Sequence, residues 1–145
     1  MPQHQIHLHW DTSIDEERYT WTLDNGIEIQ ATDPSGTITK PDFMDPEEAF
    51  LAAICSCHLL SFVTEAAREG YSVKSYEDHP AGILAKNAQG RLFVGKVLLA
   101  PLVAFAGPRL PTRDEIESLH NKAREKCIIS NSVLTEITLA PQLPE

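Results

Sequence analysis

The sequence predicts an α+β domain in which antiparallel strands surround one long, buried central helix. Three observations point there. Apolar and polar residues alternate between Ile6 and Ala31. A capped apolar run occupies Asp45–Gly70. Further alternating segments follow it, together with a second, amphipathic helix.

Ile6, Leu8 and Trp10 alternate with His7 and His9, the period of a strand. Asp11–Glu17 is polar and reads as a loop, with Asp15-Glu16-Glu17 as a solvated stretch. Tyr19, Trp21 and Leu23 alternate again, and Asp24-Asn25-Gly26 is a hairpin turn signal. Ile27, Ile29 and Ala31 form the returning strand. Asp33-Pro34-Ser35-Gly36 closes this meander, and Thr37–Met44, with Pro41, is the loop into the helix.

Asp45 is a good N-cap, Pro46 at the first helical position loses no useful N–H, and Glu47 and Glu48 suit the positive end of the dipole. Glu48 completes a capping box and Gly70 supplies the stop. The helix is expected to span about 24 residues, or about 36 Å. From Ala49 to Val63 nearly every residue is apolar or small, so both faces are expected to be covered. A membrane span is the rival reading. The uninterrupted run falls short of the roughly 20 residues a bilayer needs, and no Lys/Arg cluster marks its flanks.

Tyr71–Ala81 reads as a strand ending near Pro80 or after Gly82-Ile83-Leu84. Asn87–Gly90 is a second hairpin-type turn, and Arg91–Phe105 a long strand bent at Pro101. Thr112 and Glu115 form a capping box for a helix whose Ile116, Leu119, Ala123 and Cys127 fall on one stripe. That stripe puts Cys127 on the buried face at the helix's C-terminal end. Asn131 helps stop this helix, and Val133–Leu139 is the last strand.

The chain has 145 residues, with Lys+Arg 12 against Asp+Glu 21 and a formal charge of -9. One domain spanning 1–145 is expected. The negative balance speaks against nucleic acid or an anionic membrane surface as a partner. No basic region followed by an apolar run opens the sequence, so the cytosol is the expected compartment. Three cysteines do not make a secreted disulfide framework; they are structural, metal-binding or redox-active.

Cys55 and Cys57 diverge by roughly 200° on a helix, so they cannot serve one pocket together. Cys55 is read as a core residue, and all three cysteines as structural is the bland alternative. A functional cysteine in such a helix would need a cation or hydrogen-bond donors to stabilise its thiolate. His58 points about 100° away from Cys57, which fits a core histidine with a satisfied hydrogen bond, or one that contacts a partner subunit. His4, His7 and His9 could in principle hold a metal, as could Cys57, His58 and Cys127. Divergent side-chain directions weigh against that second set, and no metal or other cofactor is expected.

Asp45-Pro46-Glu47-Glu48-Ala49-Phe50-Leu51-Ala52-Ala53, followed by Cys57-His58, is similar to the central-helix motif of the OsmC/Ohr family of organic hydroperoxide reductases. Ala123-Arg124-Glu125-Lys126-Cys127, running into Ser130-Asn131, is a second match, and the order of elements also fits. The resemblance implies a thiol peroxidase and an intertwined homodimer. It implies that Cys57 attacks the peroxide and that Cys127 resolves the resulting sulfenate to a disulfide. Glu47 matches the family's acidic site residue. The remaining member is an arginine from the N-terminal region, and Arg18 is the only arginine before the central helix; its alternative is a surface residue beside the acidic run. The partners implied are an organic hydroperoxide substrate and a dithiol reductant, in the family often a lipoyl group. Two departures stand out: Ile128-Ile129 replaces the Pro-Tyr or Pro-Phe of the peroxidase branch, and Cys55 is an additional thiol. A catalytically silent binding protein of the same fold is the rival function.

Overall fold

The structure, a computed structural model, describes residues 4–14, 18–32 and 43–143. By its internal contacts the chain divides into two units, residues 1–50 and 51–145.

In the first unit, β1 (Ile6–His9), β2 (Arg18–Leu23) and β3 (Glu28–Thr32) form an antiparallel sheet in that order. The hairpin closes where the sequence places it. Gly26 adopts φ 86°, and the Leu23 N–H donates to the Ile27 carbonyl at 2.9 Å. Trp21 stands opposite Ile29. The alternation in β1 does not translate into a covered face, because Ile6, Leu8 and Trp10 are all about as exposed as His7 and His9. The acidic run Asp15-Glu16-Glu17, the turn Asp33-Pro34-Ser35-Gly36 and the loop through Asp42 lie outside the described residues.

Helix α1 (Pro46–Arg68) is capped as expected. Asp45 Oδ1 accepts the Glu48 N–H at 2.8 Å, and Glu48 Oε1 accepts the Asp45 N–H at 3.4 Å. The helix ends before Gly70, whose φ of +83° suits only glycine; a Cβ there would also lie 2.9 Å from Arg109 Nη1. Within this one chain, cover is found on one side of the helix. Buried residues Ile54, His58, Phe62, Glu65 and Ala66 form one stripe, while Leu60 is 68% and Val63 39% exposed. The reason is that the second unit's core lies to one side. Phe62 and Ala66 join Tyr71, Leu119 and Ala123 there, flanked by Val73, Tyr76, Val103 and Phe105. By length and composition α1 could also cross a membrane, the one such helix among the described residues. Its buried stripe carries a histidine and a carboxylate, each hydrogen-bonded to a second helix, as in a folded domain.

Both long strands expected after α1 are broken in two. β4 (Ser72–Glu77) pairs with β7 (Leu102–Ala106), whereas β5 (Ala81–Lys86) belongs with β6 (Leu92–Leu99) and β8 (Glu136–Leu139) in another sheet. Proline explains the breaks, since neither Pro80 nor Pro101 can donate to a ladder, and the chain changes sheets at each. The two corners are tied together where Asp78 Oδ1 accepts the Ala100 N–H at 2.9 Å. β8 runs parallel to β6, a departure from the all-antiparallel expectation. Helix α2 (Arg113–Lys126) has the full capping box between Thr112 and Glu115. Its buried face is Ile116, Leu119, His120 and Ala123, with Cys127 as the fully buried C-cap. Asn131 contributes to the stop by donating to the Glu125 carbonyl at 3.1 Å.

Candidate active site

Cys57 and Cys127 come together although they lie on different helices. Cys57 is half-buried on α1, and its sulfur lies near enough to the Cys127 thiol for each to affect the other's ionisation. Cys127 has no exposed surface and sits where the backbone leaves α2. Its sulfur accepts the Ser130 N–H at 3.4 Å, and both thiols are free. Burial, and then the neighbouring Cys127 thiol, push the Cys57 thiol above its ordinary range. The backbone N–H groups of Ile129 and Ile128 act in the opposite direction, because they favour a negative sulfur. The turn after α2 is therefore the part of the second unit arranged to receive a thiolate at Cys57.

A groove of about 370 Å³ opens beside Cys57. Leu60 and Ile128 give it an apolar wall, and Glu65, Arg68 and Lys126 a charged end further along α1. Glu65 is only 4% exposed. Its Oε1 accepts from Lys126 Nζ at 2.6 Å and from Arg68 Nη1 at 3.1 Å, and the Lys126 bond leads in holding the carboxyl below its usual range. A larger cavity of about 610 Å³, lined by Asn121, Arg124, Asn131 and Glu136 among others, contains no cysteine. The smaller groove is the candidate because it carries the reactive atom.

Cys55 faces elsewhere, as its angular separation from Cys57 requires. Its Sγ lies 3.5 Å from the Ala52 carbonyl. Burial, followed by the charge of Asp78, raises its thiol. It is half-buried, not a full core residue.

His58 turns away from both sulfurs to meet His120. His58 Nε2 and His120 Nδ1 are 3.0 Å apart, and each residue is 1% exposed. The rings stack at 5.3 Å with 6° between planes, and Phe62 covers His120 at 4.2 Å. Burial leads in lowering both imidazoles, His58 to about 4 and His120 to about 3. Among the described residues, no group of three His, Cys, Asp or Glu side chains could hold a metal ion.

The remaining expected site residues lie in the first unit. Arg18 opens β2 opposite Thr32 and is half-buried; Glu47 is exposed in the first turn of α1. Cys57 follows almost three turns further along the same helix. Sequence reasoning passed over His120, Glu65 and Lys126. His120 lies beside Leu119 on the apolar stripe and could have been flagged. A buried Glu65 has no sequence signal, because glutamate on a helix normally reads as solvated.

A profile of the family described as OsmC-like protein matches residues 39–141. Among solved structures, an OsmC-like protein of unknown function from Vibrio cholerae is 38% identical. The match covers 98% of this chain and 100% of that one, with a TM-score of 0.90. Organic hydroperoxide resistance proteins share the fold at lower identity. The Elizabethkingia anophelis protein is 18% identical over 99% of both chains, TM-score 0.75. The Bacillus subtilis protein is 17% identical over 97% of this chain and 98% of its own, TM-score 0.74. A search of curated sequences gives no match. From the profile match and the shared fold, the chain belongs to the OsmC-like family.

Proposed function

We propose that the protein is a thiol peroxidase that reduces organic hydroperoxides through Cys57 and Cys127. The observation that carries this reading is the proximity of the two thiols beside a groove with an apolar wall, lined by Cys57 and by Lys126 and Ile128 on either side of Cys127. The Cys57 thiolate attacks the distal oxygen of ROOH, the O–O bond breaks, and RO⁻ leaves to be protonated to the alcohol. The Cys57 sulfenate then condenses with the Cys127 thiol, giving a disulfide and one water. A dithiol, small or protein-borne, returns both cysteines to thiols by exchange and is itself oxidised.

A thiolate needs a cation where burial disfavours it. In this reading Arg18 supplies that charge and orients the peroxide, and Glu47 holds Arg18. The reading also takes the protein to be an intertwined homodimer in a reducing compartment, with sites built from both chains. Leu60, Val63, Ile83, Leu84 and Leu134, all exposed in the single chain, offer apolar surface for a second copy.

The test is a thiol count and intact mass after a stoichiometric dose of cumene hydroperoxide. Wild type is expected to lose two thiols and about 2 Da, and Cys127→Ser to trap the sulfenate at about +16 Da. Survival of all three thiols in wild type would reject the peroxidase reading and leave the groove as a binding site.

A further inference from the structure

Helix α2 ends at Lys126, and Cys127 already has extended geometry (φ -71°, ψ 112°). Its N–H reaches the Arg124 carbonyl only at 3.4 Å, so the helix's own ladder fixes the cysteine weakly. The next residue back is tied down firmly. Lys126 Nζ donates at 2.6 Å to Glu65, a carboxylate almost without exposed surface. Glu65 lies about two helical turns beyond Cys57 and lines the same groove, so this bond ties α1 beside one cysteine to the end of α2 beside the other. Arg68 also pairs with Glu65, but from within α1, so it orients the carboxylate without crossing to α2. A buried glutamate is otherwise costly, and the cation from α2 is what keeps it charged.

We propose that Glu65 is a positioning residue for the Cys57–Cys127 pair, holding Cys127 against Cys57 through its ion pair with Lys126. This rests on the peroxidase reading for its purpose, though not for its test. To bond, the sulfurs must close to about 2.05 Å. With Lys126 anchored, that closure is a small adjustment of the turn at Cys127 rather than a search by a frayed helix end.

The experiment is a redox equilibrium in a Cys55→Ser background, which leaves one possible intramolecular pair. The protein dithiol is mixed with the cyclic disulfide of dithiothreitol; two electrons and two protons pass to the dithiane as the protein disulfide forms. Alkylation and intact mass give the equilibrium constant. Glu65→Gln and Lys126→Met are each expected to lower it about tenfold, and the double variant no further, because both cut one bond. Lys126→Arg should restore the parent value, and Arg68→Met should leave it within about twofold. Lys126 is half-exposed, so its variants serve if Glu65→Gln folds poorly. Unchanged constants in Glu65→Gln and Lys126→Met overturn the proposal, even if thermal stability falls. So does failure of the parent to form the disulfide at all. A Glu65-dependent constant in a protein inert to cumene hydroperoxide would uphold the positioning role and reject the peroxidase reading instead.

Discussion

Cys55 and Cys57 belong to the same turn of α1, yet their surroundings differ in kind. Cys57 looks onto a second thiol and onto two backbone N–H groups that favour negative charge. Cys55 looks onto Asp78, whose charge opposes ionisation, and onto Tyr76, whose hydroxyl is buried without a hydrogen-bond partner among the described residues. Burial raises both thiols, so burial does not separate them. What separates them is the neighbour beside each: Cys55 has the Ser56 hydroxyl and local N–H groups to favour its anion but the Asp78 carboxylate against it, whereas Cys57 has the Ile128 and Ile129 N–H groups and a second thiol. A helix thus presents two chemically distinct thiols simply by turning.

The comparison predicts its largest effect in peroxide assays of serine variants. Cys57→Ser should abolish cumene hydroperoxide consumption, whereas Cys55→Ser should retain it within about twofold, since burial and the Asp78 charge lead in opposing a thiolate at Cys55. Loss of activity in Cys55→Ser alone would invert the assignment.

Acid should test the structure that both thiols share. His58 and His120 are neutral and buried, lowered to about 4 and about 3, with Arg124 as the further charge acting on His58. Their ordinary value is about 6.5, so below that pH the unfolded chain binds protons that the folded chain refuses. Stability is therefore whole above pH 6.5 and is lost as pH falls toward 4. Thermal midpoints measured from pH 7 to pH 4 should decline, and His120→Leu should flatten the decline relative to wild type. Parallel curves for the two proteins would show that the pair is not the acid-sensitive element.

The smallest effects are local and reciprocal. Ile128→Pro removes one N–H directed at Cys57 and should slow its alkylation by iodoacetamide at pH 7 roughly threefold, about the worth of one hydrogen bond. Asp78→Asn removes the charge beside Cys55 and should quicken alkylation there by a similar factor. Each variant should leave the other thiol's rate unchanged, as peptide mapping would report.

The elements whose start and stop signals are local were legible from the residues alone. The caps at Asp45 and Thr112, the turn at Gly26 and the stripe ending in Cys127 all appear where those signals sit. The strand breaks at Pro80 and Pro101 were visible as prolines but not as changes of sheet, because pairing partners are chosen over long sequence distances. The parallel placement of β8 beside β6 was hidden for the same reason. At the site, Cys57 and Cys127 stood out through their motifs, whereas Glu65 and His120 gain their meaning only from a neighbour on another helix. Helical spacing shows which residues share a face, and it is silent about what that face meets.

Cys127 is sealed from solvent while Cys57 borders an open groove. An oxidant arriving from water meets one sulfur and not the other. On the proposed reading, accessibility gives the pair a direction in time: Cys57 is expected to be modified first, with Cys127 reached through it. The same asymmetry decides where damage accumulates, since over-oxidation to the sulfinic acid requires a second oxidant molecule at the same sulfur. Under excess oxidant the irreversible lesion belongs on Cys57, with the buried partner spared as a thiol.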